Sequence, residues 1–120
     1  MVKHLALDDE HYWFRCIVHG ESLDFFPKRS DEQRGAWHVP PSESAVQVFD
    51  LYRDEAARAN AIIAATPLDA APRQCDPWWG NWDVPDLRFI ILHVITETAC
   101  HAGHLDAARE LLDRRQWIVL

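Results

Sequence analysis

Long apolar runs are missing from this 120-residue chain. No stretch approaches the roughly 20 residues a membrane-spanning helix needs. The N-terminus shows no charged, apolar and small-residue succession of a signal peptide, so a cytoplasmic protein is expected. Basic residues are scarce: Lys and Arg number 12 against 19 Asp and Glu, for a formal net charge of -7. With no run of Lys or Arg to form a basic face, a nucleic-acid partner is not expected. Cys16, Cys75 and Cys100 are odd in number and widely spaced, which fits reduced thiols better than a disulfide framework or a Cys-rich zinc site. Repeats, low-complexity tracts, a glycine-rich phosphate loop and a Ser/His/Asp order are also absent.

What is present is an ordinary globular balance, 48% apolar and 26% charged, with a high count of 6 Trp. The length supports one core and one domain over residues 1–120. The spacing predicts a first helix over about Val2 to Val18, with Leu5, Trp13, Phe14 and Ile17 as an imperfect apolar stripe and Gly20 as its stop. His4, Asp8 and His11 share one side of it at α-helical pitch. Glu21 to Pro41, with Pro27, Gly35, Pro40 and Pro41, reads as a loop pinned by Phe25, Phe26 and Trp37, and is a candidate lid. A second helix is expected over about Ser44 to Thr66. Ser44 and Gln47 make its capping box, and Ala45, Val48, Phe49, Tyr52, Ala56, Ala59 and Ile63 its inward stripe. After a Pro- and Trp-rich connection over Leu68 to Trp82, a third helix starts with Asp83 as N-cap and Pro85 in its first turn. It continues through Leu112, with Leu87, Ile91, Val94, Leu105 and Leu112 for packing. The fold class is all-α.

The third helix carries the chemistry. At about 100° per residue, His93, Glu97, His101 and His104 fall within a sector of roughly 80°. Glu97 and His101, four apart, can reach one ion, and His4 on the first helix is a third donor. Imidazole and carboxylate suit a borderline divalent ion, zinc or nickel, and three protein ligands leave a position open. The competing reading of a Glu/His pair at this spacing is a solvated helix face. His104 is the rival ligand, His93 is expected to support the site or fill a polar part of the core, and Cys100 is read as packing. Trp78, Trp79 and Trp82, around Gly80, form either an aromatic wall for a ligand or a plug on the end of the bundle. Arg88 and Arg109 are candidates to hold a substrate carboxylate, Arg109 competing with surface pairs to Asp106, Glu110 or Asp113.

The run from Leu87-Arg88-Phe89 through His93 into Glu97-Thr98-Ala99-Cys100-His101-Ala102-Gly103-His104-Leu105-Asp106 and Arg109-Glu110-Leu111-Leu112-Asp113 resembles the C-terminal signature of the DinB/YfiT-like superfamily. Its mini-circle protein, or mycothiol-transferase-like, branch is the nearest, and Lys3-His4-Leu5-Ala6, Tyr12-Trp13-Phe14 and Tyr52 match it as well. The resemblance implies a helical bundle whose divalent metal is held by one histidine and a pair spaced by four. Carried over by position these are His4, Glu97 and His101, with Glu97 where many relatives have histidine. It also implies a low-molecular-weight thiol cosubstrate (mycothiol, bacillithiol or glutathione) transferred to a small electrophile, the metal lowering the thiol pKa.

Two departures stand out. Relatives usually have a further long helix before the first histidine, so the bundle is expected to lack the first helix of the four-helix core, and a homodimer to cover the groove this leaves. Cys100 replaces a typical arginine. The rival function is a non-catalytic binding or assembly module that keeps the bundle.

Overall fold

A computed structural model describes residues 1–25 and 35–115, apart from the side chain of Phe25. Every regular element among the described residues is helical. The first is α1, a single α-helical turn over Val2–His4, which runs directly into a π-helix, π1, over Leu5–Val18. The extent agrees with the sequence expectation, but the pitch does not. Leu5, Asp9, Trp13 and Val18 are all buried, and their spacing of four, four and five matches a turn closed by i→i+5 bonds better than an α-turn. At the far end the His19 amide donates to the Phe14 carbonyl, five residues back, at 3.0 Å.

A wider helix leaves carbonyls to satisfy at its C-terminus, and the Leu68 to Trp82 connection supplies donors. The Gln74 side-chain amide donates to the carbonyls of Cys16 and Glu21, each at 2.7 Å, and the Arg73 amide to that of Ile17 at 3.0 Å. Gly20 stands at φ +84°, with the Arg73 side chain close beside it, so a side chain there would be strained.

The second helix, α2, covers Ala45–Ala65. Its capping box is formed: the Gln47 amide donates to Ser44 Oγ at 3.3 Å, and the Ser44 amide to Gln47 Oε1 at 2.7 Å. The inward stripe departs from expectation. Val48 and Ala59 are buried, whereas Ala45 and Phe49 are exposed and the buried polar position is Glu55. The helix is turned so that Glu55 meets Arg15 and His11 of π1.

The third helix, α3, covers Leu87–Asp113 and starts later than expected. Asp86, not Asp83, is the N-cap, its carboxylate accepting from the Phe89 amide at 2.8 Å. Val84 enters the core in the approach to the helix, which leaves Pro85 before the first turn. Both α2 and α3 pack on π1. The core between them is Trp13, Phe14, Ile17, Val18, Ala59, Val84, Leu87, Ile90 and Val94. Each of its larger side chains contributes about 1.5–3 kcal/mol by leaving water. Packing fades along α3: Leu105 is exposed and Leu112 is 87% exposed, so neither takes the core position expected of it.

A short 3-10 turn over Pro77–Trp79 is capped by Asp76, and Gly80 follows at φ +57°. Trp79 stacks on Trp13 with ring centroids 5.3 Å apart, and its Nε1 donates to the Tyr12 hydroxyl at 2.9 Å. Among the described residues no helix is long and apolar enough to cross a membrane.

Candidate functional site

Where α1 meets α3, two imidazoles face each other. His4 Nε2 and His101 Nε2 are 3.1 Å apart across 97 positions of sequence, and Glu97 Oε2 is 3.7 Å from the same His101 nitrogen. His4 Nδ1 lies 2.6 Å from Asp8 Oδ2, an i,i+4 contact. A carboxylate accepts only, so it holds the His4 proton on Nδ1 and leaves the Nε2 lone pair turned toward His101. The Trp37 ring lies over His4, centroids 4.0 Å apart and nearly parallel, and approaches His101 at 5.6 Å.

Two buried side-chain polar atoms among the described residues have no hydrogen-bond partner, Asp9 Oδ2 and His101 Nδ1. One belongs to a residue of the facing pair, and the other is electrostatically coupled to His4 and Glu97. Burial pushes the Asp9 carboxyl up to about 7, with His4 opposing the rise and Glu97, Asp8 and Glu10 adding to it. Burial, helped by His4, lowers the pKa of His101 and so favours neutral imidazole, the form that donates to metals.

These residues fit a divalent ion in their pairwise spacing. Two donors at about 2.0–2.1 Å from one tetrahedral ion stand about 3.4 Å apart, so the nitrogen pair and the Glu97 oxygen are each within a few tenths of an ångström of that separation. No group of three or more His, Cys, Asp or Glu among the described residues is already drawn together as a metal cluster. The two observations differ because Glu97 is 40% exposed at its side chain and contacts only one of the two nitrogens. His4 and His101, with Glu97 on the same His101 nitrogen and Asp8 behind His4, are the donors that stand nearest one another.

The other candidates lie further out. His104 is exposed, its ring centroid 5.7 Å from that of His101. His93 packs edge-on between Trp13, at 4.8 Å, and Trp82, at 5.4 Å, and so belongs to the aromatic cluster. His93 precedes His101 by eight residues, about 12 Å along the helix axis. Trp79 and Trp82 are therefore at the distant end of any shared cleft, plugged against Trp13, while Trp78 is 70% exposed. Arg88 is exposed and 3.9 Å from Asp86, and Arg109 pairs with Asp113 at 3.2 Å. Cys100 is exposed and not in the core packing expected of it. Of the expected lid, residues 26–34 and the side chain of Phe25 lie outside the described residues, and Trp37 is the described part that reaches the site.

A second polar cluster hangs from π1 on its α2 side. Arg15 Nη1 donates to both Glu55 oxygens at 2.9 and 3.0 Å, Arg15 Nη2 donates to Glu21 at 2.6 Å, and His11 Nδ1 is 3.3 Å from Glu55. An open depression of about 350 Å³ lies over it, lined by Arg15, His19, Glu21, Arg58, Ala61 and Ile62. Its principal charges already answer one another, so the depression is a weaker candidate site than the unsatisfied cluster. Sequence reasoning passed over Asp9, because at α-helical pitch it points away from His4. It named Trp37 only as an anchor. The signal for Asp9 was a carboxylate inside an apolar stripe.

Residues 1–114 match the family model described as Mycothiol-S-transferase. The chain belongs to that family, which is DinB/YfiT-like. No curated protein and no solved structure matches the chain.

Proposed function

We propose that this member of the mycothiol-S-transferase family transfers a low-molecular-weight thiol to a small electrophile at a divalent-metal centre made by His4, Glu97 and His101. The observation that carries the reading is the 3.1 Å approach of His4 Nε2 to His101 Nε2, with Glu97 on the same nitrogen. Zinc or nickel suits the two imidazoles and one carboxylate. A bound divalent ion would lower the pKa of a thiol, so that the nucleophilic thiolate is available near neutral pH.

The rest is the work of this chain's residues. Asp8 keeps the proton of His4 on Nδ1, which orients the ring. Burial keeps His101 neutral. Trp37, laid over His4, shields one side of the site from water. In the transfer itself the thiol sulfur forms a bond to an electrophilic carbon as the bond from that carbon to its leaving group breaks. The thiol proton and the leaving group depart to solvent. For an epoxide the departing oxygen stays on the product and takes the proton. Exposed parts of Trp78 and Trp82 and the Arg88 guanidinium are the surfaces this reading gives to the distal part of the substrates.

The test is turnover of chloro-aromatic or epoxide acceptors with mycothiol, bacillithiol and glutathione. Activity should appear with zinc or nickel and vanish with chelator and in His101→Ala. Metal-loaded protein that binds none of these thiols in calorimetry and turns over no acceptor would leave the non-catalytic module as the function. The same reading keeps one cytoplasmic domain and a homodimer that covers exposed Leu92 and Ile95 of α3. A monomer by light scattering at micromolar concentration overturns the dimer.

A further inference from the structure

We propose that Lys3 is a positioning residue for the site: its ammonium latches the segment 35–43 to the helical turn that carries His4, and through that segment seats Trp37 on the His4 ring. The latch is made by described residues throughout and does not depend on a bound ion.

The residue order of the segment is the first ground. Pro40 and Pro41 hold φ at about −65° and restrict the residue before each of them to extended backbone. The chain then turns, the Glu43 amide donating to the Pro40 carbonyl at 2.9 Å, and enters α2 through the capping box of Ser44 and Gln47. The downstream end of the segment is therefore stiff. The second ground is that one ammonium grips it at two points. Lys3 Nζ donates to the His38 carbonyl at 3.3 Å and to Glu43 Oε2 at 2.7 Å. An ammonium carries several N–H donors and no acceptor, so a single head group serves both partners at once. The side chains of this pair are only 16% and 22% exposed, so salt screens it less than a surface pair. Position in the sequence is the third ground. Lys3 immediately precedes His4, and Trp37 immediately precedes His38. A hold from Lys3 on the His38 carbonyl thus sets where the indole lies against His4. The two ring centroids are 4.0 Å apart with planes 22° from parallel, and the indole also lies 5.6 Å from His101. Trp37 is 50% exposed, so its own burial holds it less firmly than a core Trp, and the latch adds to that hold. Releasing Lys3 frees the indole and uncovers that face of His4 to a ligand.

Ring-current shifts in NMR of the metal-free full chain test this. An imidazole stacked parallel on an indole has its carbon-bound protons shifted upfield, so Trp37→Leu should move the His4 ring signals downfield. In a Lys3→Met background the same Trp37→Leu change should move them much less. With Lys3→Arg, which keeps a charged donor, the displacement should return toward its wild-type size. Glu43→Gln, which leaves α1 intact, should shrink it as Lys3→Met does. Readings at alkaline pH, where the imidazole is neutral, keep protonation out of the comparison. Equal displacement in the wild-type, Lys3→Met and Glu43→Gln backgrounds would overturn the latch. No displacement in the wild type would overturn the stack and the latch with it. Either failure is separate from that of the proposed metal centre, which is read by turnover with and without metal.

Discussion

The two buried polar clusters on the first helical stretch differ in whether their hydrogen bonds close. On the α2 side, the Glu55 carboxylate accepts from Arg15 and Arg58 and lies 3.3 Å from His11, while Arg15 is held in turn by Glu21. On the α3 side, Asp9 Oδ2 and His101 Nδ1 are buried with no partner, and two imidazole nitrogens confront each other at 3.1 Å. Both clusters cost desolvation. Only the first recovers that cost within the fold, which marks it as structural. Among the described residues the second leaves Asp9 Oδ2 and His101 Nδ1 unanswered.

The largest expected effect falls on the closed cluster. Glu55→Ala leaves Arg15 without its buried counter-charge and His11 without its carboxylate neighbour, and breaking such a pair costs about 3–5 kcal/mol. Glu21 still holds Arg15, so the lower end is expected. Glu97→Ala, on the open side, should change metal-free stability by less than about 1 kcal/mol, since its contact is partly exposed. Urea unfolding of both variants checks the contrast, and equal losses would abolish it.

Ion binding should reverse the ranking. His101→Ala is expected to weaken zinc binding by more than about a hundredfold, whereas Glu55→Ala, if folded, should keep it. Asp8→Asn should have a smaller effect, about tenfold to hundredfold, because it leaves all donors present and frees only the His4 ring. Calorimetric titration with zinc ranks the three. A hundredfold loss in Glu55→Ala would mean that the two clusters act as one.

Trp37→Ala comes next. The parallel stack on His4 is worth about 0.5–1.5 kcal/mol, and half of the indole is in solvent, so a three- to tenfold loss of ion affinity is expected. Unchanged affinity would remove Trp37 from the site.

The contrast also shows what could be read from residue order. That Glu97 and His101 share a face was legible because α3 keeps α-helical pitch, so a four-residue spacing fixes one face whatever packs on it, whereas the approach of His4 was an expectation from the family resemblance. The all-α class and the capping box at Ser44 and Gln47 were legible for the same local reason. The π-pitch of Leu5–Val18 was not, because the choice between closing a turn at four or five residues depends on what α2 and α3 press against it. That one difference separated His11 from His4 and hid Asp9. Likewise Phe49 was read inward and Glu55 was not singled out, although the rotation of α2 is set by Arg15, a long-range partner no periodicity reveals. Asp86 displaced Asp83 as N-cap because Val84 is drawn into the core.

A last expected effect is on pH dependence, and there the clusters pull in opposite directions. Burial, together with Arg15, holds the His11 pKa below its ordinary 6.5, with Glu55 and Glu21 opposing. The unfolded chain therefore takes up this proton first. His11 contributes stability that is complete above about pH 6.5 and is lost as pH falls through that value toward its lower folded-state pKa. Asp9, raised from 3.8 to about 7, has the other sign: its contribution is complete below about pH 4 and is lost as pH rises through about 7. In metal-free protein the two slopes oppose each other just below about pH 6.5. Single variants separate them. His11→Gln, which still offers Glu55 a donor, should lose less stability than the wild type on going from pH 7.5 to 5.5, and Asp9→Asn should lose more. Urea midpoints at the two pH values give both differences, and a wild-type slope left unchanged by either variant would show that neither residue titrates with folding.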